Sequence, residues 1–389
     1  MPQPVYLDHA ATTPVHADVV AAMEPFFGPR FGNPSSTHRW GREARVALDE
    51  ARERLAACLG AHPDEICFTS GGTEGDNFAV LGAWRATRAT APRRRAVVTS
   101  VIEHKAVLGA VHQAAHEGAE ERLLPVTPDG VIDMDAAAAA LTDDVAVCSV
   151  MWVNNEVGTL QPVESIVEMA RAHGILVHTD AVQAFGKAEI DVRRLAVDVL
   201  TISGHKIGAP KGIGALFLRR DATVEPLLHG GGQNRGRRPG TENVPFAVGL
   251  ARAAELTVQE RERETARLRA LRDVLERTLL ERIPDAVVHG RNAPRAPHIL
   301  NLSVPGTDSE SLLMALDLAG VACSSGSACQ SGSVDPSHVL SAMGVPRELA
   351  TAAIRMSLGV LTTEACVQRV GELFPALVAK ARRLSGATG

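Results

Sequence analysis

Short apolar segments alternate with amphipathic helical patterns along much of the chain. Ala96–Ser100 and Val145–Val150 are typical of buried strands, whereas Glu43–Leu59 and Ser165–His173 have the spacing of helices with one apolar face. This alternation predicts a mostly parallel sheet covered by helices. Since ligands bind beyond the carboxyl ends of the strands in such sheets, the residues that follow each predicted strand are the first candidates for a functional site.

The C-terminal part of the chain has a different organisation. A charged pattern rich in Arg, Glu and Leu runs from about Ala251 to Arg282 and predicts one long helix that links two domains. The segments after it are a predicted strand and two predicted helices, at Ile299–Val304, at Ser309–Leu318 and from Thr363 onward. We therefore expect a large domain over residues 14–255 and a small α/β domain formed by residues 1–13 and 256–389.

The composition of the chain restricts the classes of function that it can have. A net charge of −5 gives no general attraction for nucleic acids, so no direct nucleic-acid partner is expected. No apolar run is long enough to span a membrane, and residues 1–15 lack the pattern of a signal peptide. The 6 cysteines are too few for a disulfide scaffold and form no C-x-x-C zinc pair. The sequence therefore predicts a cytoplasmic protein without a metal site, in which a reactive thiol can survive.

A lysine lies in a tight, glycine-rich turn between two predicted core strands. Lys206 follows the apolar Val197–Ile202 and precedes the apolar Gly214–Leu218. Ser203 and His205 lie beside it in the sequence. Burial would lower the pKa of the ammonium group, and the free amine could then bond covalently to an aldehyde cofactor. A solvated loop lysine is the alternative interpretation of the same pattern.

An aspartate ends another apolar run. The segment Ile175–Thr179 leads into Asp180, and Gln183 follows shortly after. An isolated buried carboxylate is costly and therefore needs a cationic partner. The protonated ring nitrogen of pyridoxal phosphate would supply one, and an aspartate in that place makes the ring an electron sink. The alternative is an aspartate that caps the N-terminus of a following helix.

Glycine and hydroxyl residues follow a third apolar segment. Ile66–Phe68 precedes the run Thr69–Thr73, and a helical pattern begins near Asn77. The N-terminus of a helix offers free backbone N–H groups and the positive end of its dipole, which suit a phosphate. Gly72 and Thr73 are therefore candidate phosphate ligands, although the same residues could form an ordinary turn. The segment matches neither a Walker A loop nor G-x-G-x-x-G, which argues against an NTPase or a dinucleotide enzyme.

Several further motifs occur in the order known from one protein family and cover nearly the whole chain. They are Tyr6–Thr13, Phe31–Ser36, Glu103–Val107, Val153–Gly158, Gly230–Asn243, Ser324–Cys329 and Ile354–Gly359. With the three segments above, they resemble the cysteine desulfurases, the NifS-like group of class V aminotransferases. The resemblance implies the fold type I architecture of pyridoxal-phosphate-dependent transferases, in which a large domain with a mostly parallel sheet carries a smaller α/β domain.

The resemblance also implies a role for each candidate residue. Lys206 would bind the cofactor covalently and act as the base at the substrate Cα, and His104 would lie against the cofactor ring as an acid or base. Asp180 would pair with the ring nitrogen, and Asn155 and Gln183 would bind the phenolic oxygen. The full set of cofactor-binding residues would be Gly72, Thr73, Asn155, Asp180, Gln183, Ser203, His205, Lys206 and Thr241. For His104, a histidine satisfied within the core is the alternative.

The sulfur chemistry would depend on a cysteine in a loop of small residues. Cys329 lies in Ser325–Ser333, which has no apolar periodicity, so its thiol is expected to stay accessible. The resemblance implies that its thiolate attacks the sulfur of L-cysteine and keeps it as a persulfide, while alanine leaves. An acceptor protein, such as an iron–sulfur scaffold or a sulfur carrier, would then take the sulfur. Cys323 is either a buried residue at a strand end or a thiol that resolves the persulfide as a disulfide.

An arginine lies inside the apolar segment Ala352–Leu358. A buried arginine needs an anion, and the fork of its guanidinium group fits a carboxylate. For Arg355 the natural candidate is the substrate α-carboxylate, with Asn155 as a second substrate-binding residue. A structural aspartate or glutamate is the alternative partner.

The glycine- and arginine-rich run Gly230–Thr241 is too polar to pack in a core. The resemblance implies a homodimer in which Thr241 reaches the phosphate in the site of the other subunit.

Three classes of function fit these residues. They are an L-cysteine desulfurase, a selenocysteine lyase or aminotransferase on the same fold, and a sulfur-carrying interaction protein with a degenerate cofactor site. The complete set of lysine, aspartate and phosphate residues argues against the third class, and Cys329 in its loop argues against simple transamination.

Overall fold

The computed structural model describes residues 4–325 and 336–384. Its strands, numbered in chain order, are β1 (Val5–Tyr6), β2 (Ile66–Thr69), β3 (Ala96–Ser100), β4 (Glu120–Leu124), β5 (Val145–Met151), β6 (Leu176–Asp180), β7 (Val199–Ser203), β8 (Gly214–Leu218), β9 (Val287–Val288), β10 (Ile299–Ser303), β11 (Val321–Ala322) and β12 (Ala353–Ser357). Its helices are α1 (Ala17–Met23), α2 (Arg39–Leu59), α3 (Gly72–Thr90), α4 (Lys105–His116), α5 (Met134–Ala140), α6 (Val163–Ala172), α7 (Val192–Leu195), α8 (Val244–Arg282), α9 (Ser309–Leu318), α10 (His338–Ala342), α11 (Arg347–Thr351) and α12 (Glu364–Leu384). Within these ranges, no helix combines the length and the apolar character needed to cross a membrane.

Seven strands form the central sheet in the order β2-β8-β7-β6-β5-β3-β4. The strands from β7 to β4 pair in parallel, whereas β8 is antiparallel to both β7 and β2. Every residue of β3, β5 and β7 is buried, which explains why these strands have continuous apolar runs instead of alternating polarity. The prediction of a mostly parallel sheet within an α/β fold is confirmed.

The carboxyl ends of the parallel strands bring distant segments to one edge of this sheet. β6 ends at Asp180 and its neighbour β7 ends at Ser203. The chain then returns through β8 after a turn that contains Lys206 and is closed by the bond from Gly204 N–H to the Ile213 carbonyl at 3.0 Å. A Cβ atom at Gly204 would lie 2.9 Å from the Ile213 side chain, so this turn needs a glycine.

A second hydrophobic cluster joins the two ends of the chain. Val5 and Leu7 pack there against residues of the C-terminal part, beside the antiparallel sheet β12-β10-β9 and the parallel pair β1-β11. Helix α8 contributes to both clusters, with Leu250 in the main core and Leu275 in the second. The long helix therefore contributes to two cores, while its role as a link between two domains and the division of the chain at residue 255 stay predictions.

Several helices begin earlier than the sequence indicated, and the difference is largest for α3 and α8. Helix α3 begins at Gly72 instead of near Asn77, because two glycines with low helix propensity conceal its first turn. Helix α8 begins at Val244, and the side chain of Asn243 accepts the Phe246 N–H at 3.2 Å as an N-terminal cap. Because α3 begins at Gly72, its N-terminus lies close to the end of β2.

Candidate active site

A cavity of about 400 Å³ lies at the carboxyl ends of β5, β6 and β7. The residues predicted for the site that line it are Gly72, Thr73, His104, Asn155, Asp180, Gln183, Ser203, His205, Lys206 and Arg355. Thr241 is exposed and is not part of this lining. Cys329 lies outside the described residues. Segments that are far apart in the sequence thus meet at the edge of the sheet where the topology predicts a ligand.

The amine of Lys206 is held at one wall of the cavity. Its Nζ donates hydrogen bonds to the carbonyl oxygens of Ala10 at 2.6 Å and Ala11 at 2.8 Å. Burial, with a further contribution from the Arg355 guanidinium, lowers the pKa of Lys206 to about 8. About a tenth of the amine is therefore unprotonated at pH 7, far more than for an ordinary lysine, and can act as a nucleophile or base. The alternative of a fully solvated loop lysine does not describe this side chain.

Asp180 closes the floor of the cavity and is 6% exposed. Its Oδ1 accepts the Val182 N–H at 2.8 Å. Burial raises its pKa, while that hydrogen bond and the positive charge of Lys206 favour the charged form. The residues after Asp180 form turns and not a helix, so the aspartate does not serve as a helix cap. A buried carboxylate that faces a cavity is suited to a cationic group of a ligand.

The N-terminus of α3 forms a second wall. Gly71 precedes the helix with φ 155°, and no side chain among the described residues caps the first turn. A Cβ atom at Gly72 would lie 3.0 Å from Val182 Cγ2, so this position favours a glycine, whose backbone carries no side chain that could shield it from a ligand. The first-turn Glu74 is neutralised by Arg238, whose Nε lies 2.9 Å from its Oε1. This arrangement leaves free N–H groups and a positive dipole end facing the cavity, which favours an anion.

Two histidines lie beside this wall. His205 Nδ1 is 3.2 Å from the Thr12 hydroxyl, and burial together with Lys206 lowers the pKa of His205 to about 4. The ring of His104 is exposed to the cavity, and its Nδ1 accepts the Ala106 N–H at 3.2 Å as the cap of α4. Desolvation by the surrounding protein lowers the pKa of His104. Both imidazoles are thus predominantly neutral near pH 7.

The amide of Gln183 is already engaged by protein groups. Its Nε2 donates to the Ala10 carbonyl at 2.9 Å, and its Oε1 lies 3.2 Å from His298 Nε2. The sequence could not reveal His298 as its partner, because the two residues are far apart along the chain. The predicted contact between Gln183 and a cofactor oxygen stays a prediction.

Arg355 lies in β12, is 5% exposed and has two oxygen partners. One terminal nitrogen lies 2.8 Å from Asp8 Oδ1, and the other donates to the Asn155 carbonyl at 2.8 Å. Its Nε is enclosed and has no hydrogen-bond partner among the described residues. The alternative of a structural carboxylate partner is therefore realised in Asp8. Since the guanidinium group also faces the cavity, the binding of a substrate carboxylate stays a prediction.

Some of the residues that line the cavity were not identified from the sequence. His338 lines it and is held by the Glu103 carbonyl, 3.0 Å from its Nε2. Asp76 lines it from the second turn of α3. Cys323, which the sequence analysis considered, is not part of the cavity lining. It follows β11 and is half-buried, and burial raises the pKa of its thiol to about 12, which makes it a poor nucleophile.

The chain is similar to known proteins over nearly its full length. The aminotransferase class-V family matches residues 5–370. The cysteine desulfurase NifS of Azotobacter vinelandii is 47% identical over 382 residues, which cover 98% of this chain and 94% of that protein. The cysteine desulfurase IscS of Dictyoglomus turgidum is 44% identical over 385 residues, which cover 99% of this chain and 97% of that protein.

A solved structure described as a NifS-like protein superposes with a TM-score of 0.90 at 35% identity and covers 97% of this chain and 100% of its own. Fold, cavity and full-length similarity agree. The chain therefore belongs to the class-V aminotransferase family and, within it, to the cysteine desulfurases of the NifS and IscS group.

Proposed function

We propose that the protein is a pyridoxal-phosphate-dependent cysteine desulfurase, which converts L-cysteine to L-alanine and retains the sulfur as a persulfide. One observation carries the proposal: an amine (Lys206), a buried carboxylate (Asp180) and an open helix N-terminus (Gly72) converge in one cavity. These groups match the aldehyde, the ring nitrogen and the phosphate of the cofactor. The names of the full-length relatives support the same reaction.

The residues present fit this cofactor. Asp180 is a buried carboxylate that gains from a cationic ring nitrogen, and the backbone at Gly72 is bare enough for a phosphate to approach. Thr73, Ser203 and His205 would complete the phosphate contacts. The bound cofactor supplies an electron sink for negative charge at the substrate Cα.

Lys206 would remove the proton from the substrate Cα. Its amine has a pKa of about 8, close to the working pH, as efficient general bases require. The carbonyls of Ala10 and Ala11 would hold the protonated amine in place after the transfer. His104, neutral and exposed to the same cavity, would serve as a second proton carrier.

Arg355 would orient the substrate by its α-carboxylate, with Asn155 beside it. Cys329 would then accept the sulfur. In that step the bond between sulfur and Cβ of the substrate breaks and a bond between this sulfur and Cys329 forms. The balance is L-cysteine plus the enzyme thiol giving L-alanine plus the enzyme persulfide, with no external oxidant or reductant. A sulfur-acceptor protein would later take the outer sulfur.

We also propose that the active enzyme is a homodimer in which Thr241 completes the phosphate site of the partner. The segment that carries Thr241 is tied to its own chain by the ion pair of Arg238 with Glu74 and by the buried Arg52, which lies 3.3 Å from Glu242. Thr241 itself remains exposed and away from its own cavity. The side chain of Thr241 therefore does not contribute to the cavity of its own chain and is available to the site of a partner subunit.

Subunit mixing tests this arrangement. One inactive variant carries Lys206→Ala, and the other carries Arg237→Ala with Thr241→Ala. In a random mixture about half of the dimers are mixed, and each mixed dimer has one intact site, so about a quarter of all sites should be active. Inactivity of confirmed mixed dimers would show that the segment serves its own subunit.

The proposed reaction is tested on the purified enzyme. We expect a yellow protein from which borohydride traps the cofactor on Lys206, as identified by peptide mass. Added L-cysteine should give sulfide and L-alanine in equal amounts when a reductant is present. A Lys206→Ala variant should lose the covalent bond, and Lys211→Ala, an exposed lysine in the same turn, is the matched control. A colourless protein that takes up no pyridoxal phosphate would refute the proposal.

A further inference from the structure

Three carboxyl groups are buried around the end of β6. Asp76 in α3, Glu103 after β3 and Asp180 are 1%, 0% and 6% exposed, respectively. Asp76 and Glu103 both lie close enough to Asp180 for its charge to disfavour theirs. A buried carboxyl group needs a cation, hydrogen-bond donors or a proton of its own. The three groups meet this need in different ways.

Asp180 has the surroundings of an anion. The Val182 N–H donates to its Oδ1 at 2.8 Å. Burial raises the pKa of Asp180, but the largely protonated amine of Lys206 faces the same cavity and favours the negative charge of this carboxylate. The positive ring nitrogen expected in the cavity would add to this stabilisation.

Asp76 has weaker support. A hydrogen bond with the Thr201 side chain favours its charged form, but burial and the charge of Asp180 outweigh this bond and raise the pKa of Asp76. Within the described part of the chain its one ion-pair partner is His178, whose Nε2 lies 3.7 Å from Asp76 Oδ1. The His178 ring is already bonded to the hydroxyls of Ser149 at 2.8 Å and Thr201 at 2.9 Å. Burial lowers the pKa of His178 to about 3, so this ring is neutral. Asp76 Oδ1 is enclosed and accepts no hydrogen bond from the described residues.

Glu103 is enclosed in the same manner. Its Oε1 accepts the Ser100 hydroxyl at 2.5 Å and the Met151 N–H at 3.0 Å. Its Oε2 is buried without a hydrogen-bond partner among the described residues, which also provide no ion pair to this carboxyl group. Burial raises the pKa of Glu103 to about 8.

We propose that Asp76 and Glu103 are positioning residues that carry protons at neutral pH, so that Asp180 is the single carboxylate of the cluster. Two further negative charges would repel that of Asp180 and raise the cost of keeping it ionised. With neutral neighbours, Asp180 keeps its charge for the ring nitrogen. This role rests on the proposed pyridoxal phosphate site, whereas the protonation of Asp76 and Glu103 does not.

Isosteric amides test the protonation. Asp76→Asn and Glu103→Gln replace a protonated carboxyl group by a neutral group of the same shape. Asp198→Asn is the matched control, because Asp198 is also 6% exposed but has a cation, with Arg219 at 2.6 Å, and accepts the Val177 N–H at 2.7 Å. In infrared difference spectra of the purified enzyme at pH 7, each of the first two variants should remove a C=O band of a protonated carboxylic acid. Asp198→Asn should remove none.

Unfolding and titration give independent readouts. The midpoints of thermal unfolding of Asp76→Asn and Glu103→Gln should equal or exceed that of the wild type, whereas Asp198→Asn should lower it. An ionised Asp76 would act on the lysine–cofactor bond as a nearby charge, and its removal would shift the pH at which the cofactor absorbance titrates by about 1–3 units. We expect a shift well below one unit.

Two results would overturn the proposal. One is an infrared spectrum in which neither amide variant removes a protonated-acid band. The other is a loss of unfolding midpoint in both amide variants as large as that of Asp198→Asn. An enzyme that takes up no pyridoxal phosphate refutes the proposed function instead, and the infrared bands and unfolding midpoints still decide the protonation of Asp76 and Glu103.

Discussion

The burial of Lys206 predicts a specific dependence of stability on pH. The pKa of this lysine is lowered from 10.5 to about 8 in the folded protein. Between these two values the unfolded chain binds more protons than the folded chain, so the free energy of unfolding rises with pH through that window. The gain is absent below it and complete above it. Because its pKa is lowered on folding, Lys206 destabilises the cofactor-free protein at neutral pH.

The size of the effect follows from the two pKa values. Integrated between pH 7 and pH 10, the linkage raises the free energy of unfolding by about 2.5 kcal/mol. Other groups titrate over the same range, so the quantity to compare is the difference between wild type and Lys206→Met. The contributions of other titrating groups to the free energy of unfolding are common to both proteins and cancel in this difference.

Urea unfolding of the cofactor-free proteins, followed by the fluorescence of the 3 tryptophans, measures that difference at several pH values. Lys211→Met is the matched control, because Lys211 is exposed in the same turn. We expect its pH profile to follow that of the wild type. A difference between wild type and Lys206→Met that stays constant within about 0.5 kcal/mol from pH 7 to pH 10 would refute the argument.

Three further predictions concern the reaction and the cofactor. The Cys329→Ser variant should still bind the cofactor but carry no persulfide and release no sulfide. The Cys323→Ser variant should stay largely active. Near wild-type sulfide release from Cys329→Ser would show that another residue is the nucleophile. Arg355→Lys keeps the charge but loses the fork, so kcat/KM for L-cysteine should fall roughly 10–100-fold, mainly through KM, with an unchanged cofactor spectrum. Arg238→Gln leaves Glu74 unneutralised at the phosphate wall and should weaken cofactor binding roughly 5–10-fold in equilibrium dialysis, less so at high salt.

The parts of the site that sequence reasoning found are local. Lys206, Asp180 and Gly72 each stand directly after an apolar run, and the sheet topology brings the ends of such runs together. The turn at Gly204 adds a steric requirement that is visible as a glycine in the sequence. The positions of the strand ends therefore suffice to predict these site residues, without knowledge of how the side chains pack.

The parts that it missed depend on packing over long separations. Asp8 and Arg355 are 347 positions apart and meet because β1 joins the C-terminal core. No periodicity in either segment indicates this ion pair. The sequence instead offered two possible partners for the arginine, a substrate or a protein carboxylate, and geometry alone shows that the protein carboxylate is present.

Asp8 and a substrate carboxylate need not exclude each other. The guanidinium group of Arg355 presents three nitrogens, of which one contacts Asp8, one contacts the Asn155 carbonyl and the third, Nε, is enclosed without a partner among the described residues. A carboxylate that arrives from the cavity would have to compete with Asp8 for the fork. Since Arg355 is buried and Asp8 is half-buried, the Coulomb attraction in either pair is stronger than in water, and each pair also carries a desolvation cost. If Arg355 binds the substrate as proposed, Asp8 would keep the arginine oriented and its charge paired between turnovers, and the same pairing would lower the net affinity for the substrate.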